Sequence, residues 1–194
     1  MQRRTLLAGA LAALVLPRHG RAQPYRLGPG GATISYTFNL GGTPVKGTVP
    51  IERADLSIDG RNLAASTADV IADVRRARTG LILATEALKS RSVLAAADFP
   101  MTRFRSTRVT LGPQGRMSHG ATLEGLLTLR GVTRQVRFDA NLFRAAGSAD
   151  NDFERLNVIL NGTIDRRDFG AKGYGELVGD TVRINIRAEI EATL

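Results

Sequence analysis

The chain has 194 residues, ample for one domain with its own core, and carries 27 basic against 18 acidic side chains for a formal net charge of +9. It contains no cysteine, which excludes disulfides, thiolate catalysis, haem attachment through cysteine and cysteine-ligated metal sites. Aromatic residues make up 5% and no stretch concentrates five or more basic residues, so no nucleic-acid partner is expected, whereas weak, transient contact with an anionic membrane surface stays open.

Arg3 and Arg4 precede an apolar run from Leu6 to Leu16, followed by Pro17 and Gly20-Arg21-Ala22. A basic start, a short apolar segment and small residues at a cleavage point predict an export signal over residues 1–22. The run is about half of the roughly 20 residues that a bilayer-spanning helix needs. The paired arginines fit a twin-arginine signal and equally the start of an ordinary secretory one. The protein is therefore expected in the periplasm or secreted. The signal holds four arginines and no acid, so 27 less 4 leaves 23 basic residues against 18 acidic, a balance of +5.

Residues 23–194 read as one domain. In a first strand, Ala32 to Leu40, Ile34, Tyr36, Phe38 and Leu40 alternate with polar residues, and Gly41-Gly42-Thr43-Pro44 turns the chain. A second strand runs from Val45 to Ile58 with an irregularity at Pro50. Asp59-Gly60 is a hairpin signal, and a less regular third strand covers Asn62 to Val74. From Ala84 to Ala97, Leu88, Lys89, Val93, Leu94 and several alanines predict a short helix ended by Asp98-Phe99-Pro100. Alternation resumes at Thr102, Phe104 and Ser106, then at Leu123, Gly125, Leu127 and Leu129. After Gly131 it continues at Val136, Phe138, Ala140 and Leu142. Gly147 to Asp152 is a polar loop, and Val158, Leu160, Gly162 and Ile164 mark the next strand. From Asp180 to Leu194, Val182, Ile184, Ile186, Ala188, Ile190 and Ala192 oppose Arg183, Asn185, Arg187, Glu189 and Glu191. About eight strands, each with one oily side, predict an all-β, eight-stranded antiparallel barrel with one inserted helix. A two-sheet sandwich is the competing arrangement.

Motifs for chemistry are sparse. Ser118 and His119 are neighbours in a turn-like stretch, and no nucleophile elbow surrounds the serine. Asp150, Asp152 and Glu154 lack the glycine and terminal glutamate of a calcium loop. Lys46-Gly47-Thr48 and Gly173-Tyr174-Gly175 depart from phosphate-binding fingerprints and read as turns. No catalytic residue, metal site or cofactor is expected. The densest charged cluster is Asp165-Arg166-Arg167-Asp168-Phe169-Gly170. An arginine beside each acid keeps both carboxylates ionised, which favours a salt-linked barrel mouth, with Arg166 or Arg167 meeting an anionic head group as the other reading.

Four segments in order and spacing resemble the YceI-like family: Asp98-Phe99-Pro100 with Thr102 to Ser106, Glu124 to Thr133, Ile164 to Gly170, and Val178 to Val182. The resemblance runs from about Tyr25 to Leu194. It implies a lipocalin-like barrel, usually periplasmic, whose interior holds a polyisoprenoid, a quinone or another long amphiphile. Where many members carry Arg-Asp-x-His-Leu before the helix, this chain has Ala84-Thr85-Glu86-Ala87-Leu88, and Leu40 stands where many place a histidine.

If the apolar faces point inward, Ile34, Tyr36, Phe38, Phe104, Leu127, Phe138, Ile164, Ile184 and Ile186 line the interior, with Leu88 closing one end. Gly125 and Gly162 also take inward positions, either making room for a tunnel or relieving barrel strain. The expected function is that of an exported, non-catalytic carrier or sequestering protein for a long apolar molecule. The alternatives are an envelope protein with a filled barrel acting through its surface, and an enzyme on a lipid-like substrate using Tyr36, Asp165 and Asp168. No sequence feature sets an oligomeric state.

Overall fold

The computed structural model describes residues 22–115, 120–145, 147–149 and 152–193. The expected export signal, apart from Ala22, lies outside the described residues, as do Ser118, His119 and Asp150.

Ten strands form one sheet: β1 (Gln23–Leu40), β2 (Thr43–Val49), β3 (Ile51–Ile58), β4 (Thr67–Asp73), β5 (Arg78–Thr79), β6 (Met101–Leu111), β7 (Ala121–Leu129), β8 (Val132–Arg144), β9 (Arg155–Asp165) and β10 (Thr181–Ala192). Helix α1 (Ile82–Lys89) lies between β5 and β6. The strand order is β10-β9-β8-β7-β6-β4-β3-β1-β2-β5, and β10 also pairs with β1, so the sheet closes on itself. β2 and β3 flank Pro50 and act as one broken stave, while β5 is a two-residue addition to the edge of β2. Eight antiparallel staves thus make a barrel rather than a sandwich.

Register explains why the oily sides converge. Ile34 pairs with Ile186, Tyr36 with Ile184, Phe104 with Leu127 and Phe138 with Gly162, so inward positions of one strand meet inward positions of the next. A slip by one residue would turn each set to solvent. Two tight hairpins hold this register. Gly41 and Gly42 have φ of +57° and +83°, and Arg130 and Gly131 have +52° and +72°, the positive pair that a two-residue hairpin turn requires.

The first stave is looser on one side. β1 pairs with β3 only over Gln23 to Tyr25 and with β2 only from Ile34 to Leu40. Residues 26–33 have no ladder partner there, and the register with β10 shifts between Leu27 and Ala32.

Three expected boundaries are corrected. The first strand starts at Gln23, not Ala32, because it continues across this irregularity. Asp59-Gly60 lies in the loop of an antiparallel β3–β4 hairpin, Ser57 pairing with Thr67, but the loop is longer than a two-residue turn: the Asp59 carboxylate accepts the N–H groups of Arg61 and Asn62, and a 3-10 turn covers Leu63–Ala65. The third strand therefore begins at Thr67, not Asn62. The helix spans Ile82–Lys89 instead of Ala84 to Ala97, because Ser90 is extended and the N–H groups of Val93 and Ala95 both turn back to its carbonyl. Ala95 and Ala96 are packed in turns, 4% exposed each.

The chain's ups and downs place the β1–β2 hairpin, residues 74–100 and residues 166–180 at one end, here the upper end. At the lower end Tyr25, Leu142, Leu156 and Ile190 form a buried floor, with Leu63 and Phe153 packed against it.

Asp69, Asp73 and Glu124 are held below the usual carboxylate range, chiefly by side-chain hydrogen bonds from Arg103, Arg75 and Arg137 respectively. A lowered folded value adds stability above the unfolded value and loses it as pH falls through the folded one. Melting temperature should therefore hold down to about pH 5 and fall below about pH 4. The variant D69N/D73N/E124Q should show a flatter acid limb in thermal melts, and an unchanged limb would count against this account.

Candidate functional site: the barrel lumen

The inward faces enclose a cavity of ≈ 960 Å³, near the top of the roughly 300–1,000 Å³ range of small-molecule sites. Ile34, Tyr36, Phe38, Leu88, Phe104, Leu127, Phe138, Ile164, Ile184 and Ile186 all line it. The barrel is hollow, so the filled-barrel alternative does not match the structure. Leu88 reaches the wall from α1 and packs beside Tyr36, Phe38 and Val45.

Inward glycines and aromatic rings fit together, which is how the wall stays thin. A Cβ on Gly125 would lie 2.5 Å from the Phe104 ring and 2.5 Å from the Arg105 carbonyl oxygen, and one on Gly162 would lie 2.5 Å from the Phe138 ring. Gly47 takes the Tyr36 ring in the same manner. Each ring lies over a neighbouring strand's bare backbone instead of projecting across the lumen. Phe104 and Phe138 meet edge to face at 5.4 Å, a favourable aromatic geometry. The glycines thus seat rings, and the open bore follows from that.

The wall is almost devoid of reactive groups. No Asp, Glu, Lys, His, Asn or Gln lines the described cavity. The Tyr36 hydroxyl donates to the Arg78 carbonyl at 2.9 Å, and burial pushes its phenol far above its ordinary value. Thr102 Oγ1 donates to the Thr128 carbonyl at 2.8 Å, and Ser66 Oγ accepts the Asp59 N–H at 3.2 Å. Asp165 and Asp168, the acids of the enzyme alternative, do not line the cavity. Asp165 caps a 3-10 turn over Arg166–Phe169 by accepting the Arg167 N–H at 2.8 Å, and Asp168 is exposed on that turn. Among the described residues no three His, Cys, Asp or Glu side chains converge as metal ligands.

The two arginines offered as head-group contacts behave differently from each other. Arg166 is 5% exposed and reaches the lumen wall at the upper end. Its Nε donates to the Gly179 carbonyl, Nη1 to those of Ala171 and Gly173, and Nη2 to that of Val178, while Nη2 also ion-pairs with the Asp180 carboxylate at 3.1 Å. Four backbone carbonyls thus take hydrogen bonds from one guanidinium, and a carboxylate offsets its charge. Arg166 clamps the 171–180 loop, its guanidinium turned to that loop's backbone carbonyls. Arg167 is exposed, bonds Asp180 Oδ2 at 3.2 Å and does not line the cavity. Among the described residues, the ion pairs join Arg166 and Arg167 to Asp180 rather than to Asp165 or Asp168.

Sequence reading missed two parts of the site. One is the wall from β3 and β4, including Ile51, Ala54, Leu56 and Val70, where a register shift between Ile51 and Arg53 erases the period of two. The other is the upper rim: Leu81, Ile82, Leu83, Tyr174 and Leu177 line the cavity and are also 51%, 84%, 85%, 49% and 58% exposed. Leu81-Ile82-Leu83 was visible as an apolar run, but its position beside an opening was not.

Comparison with known proteins follows the same lines. BcnA of Burkholderia cenocepacia matches with a TM-score of 0.72 at 16% identity, covering 84% of this chain and 99% of that one. A polyisoprenoid binding domain from Saccharophagus degradans, implicated in plant cell wall breakdown, matches with a TM-score of 0.61 at 13% identity over 88% of this chain and 99% of the other. At these identities the likeness is one of fold. A UPF0312 protein of Vibrio parahaemolyticus is 26% identical over 172 residues, 87% of this chain and 88% of its own. The YceI-like domain model matches residues 25–190, from the start of β1 almost to the end of β10, and the chain belongs to the YceI-like family.

Proposed function

We propose that this protein binds a long apolar molecule, such as a polyisoprenoid, quinone or fatty amphiphile, in its lumen and serves as an exported, non-catalytic carrier or sequestering protein. The observation that carries the reading is the ≈ 960 Å³ cavity whose wall holds no carboxylate, amine or imidazole among the described residues. The likeness in fold to a polyisoprenoid binding domain supports the choice of cargo class, and the apolar run after Arg3 and Arg4 supports export.

Burying one five-carbon isoprene unit from water yields about 4 kcal/mol, at about 0.8 kcal/mol per methylene. Several units would exceed the affinity ceiling of about 18 to 21 kcal/mol. A tail in a bilayer is already dry, however, so transfer from membrane to barrel is close to balanced and the cargo can both load and leave.

Mass spectrometry of organic extracts from the purified protein is expected to find a long-chain lipid in stoichiometric amount. Ala188 lines the lumen, and Ala188→Trp should lower that content by about tenfold or more while the far-ultraviolet spectrum stays that of the parent. A barrel that yields no lipid when purified from its native host refutes the carrier reading.

A further inference from the structure

The upper rim is greasy on the outside as well as the inside. Ile82 and Leu83, in the first turn of α1, are 84% and 85% exposed and yet line the lumen. The apolar surface therefore runs without interruption from the cavity over the lip. Across the opening stand Tyr174 and Leu177, in a loop tied to the β1–β2 hairpin by the Gly41 N–H to Leu177 carbonyl bond at 2.8 Å. Tyr174 is held at φ +57°, an uncommon conformation for a residue with a side chain.

Below the α1 side of this lip cations predominate, with Glu52 and Glu86 at the margins. Residues 40–51 and 74–85, which build β2, β5 and the start of α1, contain no Asp or Glu and carry Lys46, Arg75, Arg76 and Arg78. Arg75 is bonded to Asp73, but Lys46, Arg76 and Arg78 are exposed and form no salt bridge among the described residues. Gly80, whose N–H bonds the Lys46 carbonyl, joins this edge to Leu81. The opposite lip is mixed, with Lys172 and Glu176 near Tyr174.

We propose that the upper mouth docks on an anionic phospholipid bilayer, with Leu81, Ile82 and Leu83 entering the acyl region and Lys46, Arg76 and Arg78 lying against phosphate head groups. Exposed aliphatic residues backed by cations are the pairing that interfacial membrane contacts use. Tyrosine across the mouth suits the interface, where its ring sits in the apolar zone and its hydroxyl in the wet one. The inference rests on the carrier reading and adds its route: a mouth seated in the bilayer lets a tail slide from lipid to lumen without any methylene meeting water.

Flotation with vesicles of phosphatidylglycerol and phosphatidylcholine, against phosphatidylcholine alone, tests the proposal. The parent protein should float with the anionic vesicles and be released by salt. Lys46→Ala with Arg78→Ala should weaken binding about 25-fold, at about fivefold per removed charge. Ile82→Ser with Leu83→Ser should weaken it by at least about tenfold. Both pairs are exposed, so melting temperatures should stay at the parental value. No flotation, or flotation indifferent to both variants, overturns the proposal, as does a dimer abolished by I82S/L83S in sedimentation when no vesicle binding occurs. Extracted lipid content is measured in parallel. Lipid without flotation leaves the carrier reading standing and removes the docking surface, whereas flotation without lipid does the reverse.

Discussion

Replacing Arg166 with methionine is expected to lower stability by about 3–5 kcal/mol, since each backbone carbonyl left without its donor costs about 1–3 kcal/mol and four lose theirs. The substitution keeps much of the side-chain length but deletes all five donors. It leaves the carbonyls of Ala171, Gly173, Val178 and Gly179 and the Asp180 carboxylate without their common partner. The Arg166 side chain is 6% exposed, so solvent does not take up these bonds unless the loop opens. For a domain of this size each kcal/mol is worth about 2–4 °C, and the melting temperature should drop by about 10 °C. Arg166→Lys should rescue little, because an ammonium has three donors on a point and cannot span acceptors spread around a planar fork. Limited proteolysis should then cut first within residues 171–180. A methionine variant melting within about 1 kcal/mol of the parent would show that the clamp is dispensable.

Gly125→Ala is the second large effect. Its methyl would meet both the Phe104 ring and the Arg105 carbonyl at 2.5 Å, and the second contact is backbone, which cannot rotate away. β7 lies between β6 and β8 in the closed wall, so relief requires moving a strand or driving the ring into the lumen and off its contact with Phe138. Overpacking of this kind costs about 1–3 kcal/mol. The bore should narrow as well, lowering lipid content along with melting temperature. In a double-mutant cycle, Phe104→Ala should cost less in the Gly125→Ala background by about 1 kcal/mol, since the two positions share one space. Strict additivity would separate the glycine from the ring and refute the seating account.

The parts of this molecule that sequence periodicity revealed are those built from uninterrupted strands. β7 to β10 carry clean alternation, and Leu127, Phe138, Ile164, Ile184 and Ile186 line the lumen as the pattern required. Pattern reading failed where local hydrogen bonds override it. Ser90 ended α1 well before Pro100, and Asp59 with Ser66 turned the start of an expected strand into a loop. The role of Arg166 was illegible for a different reason: four of its acceptors are backbone carbonyls, which every residue type offers and no motif marks. The rim was missed because exposure of Ile82 and Leu83 depends on the helix starting two residues earlier than its alanine-rich portion indicated.

A cask hooped all the way round has a fixed girth, and this one has a gap in its hoops. Along residues 26–33 the first stave carries no hydrogen-bonded rungs to its neighbour across Pro50. Widening the cylinder there would meet no rung to that neighbour along those residues, only the pairs that bound them at Tyr25 and Ile34. If the bore holds a tail as proposed, this flank is where a difference in calibre would be taken up.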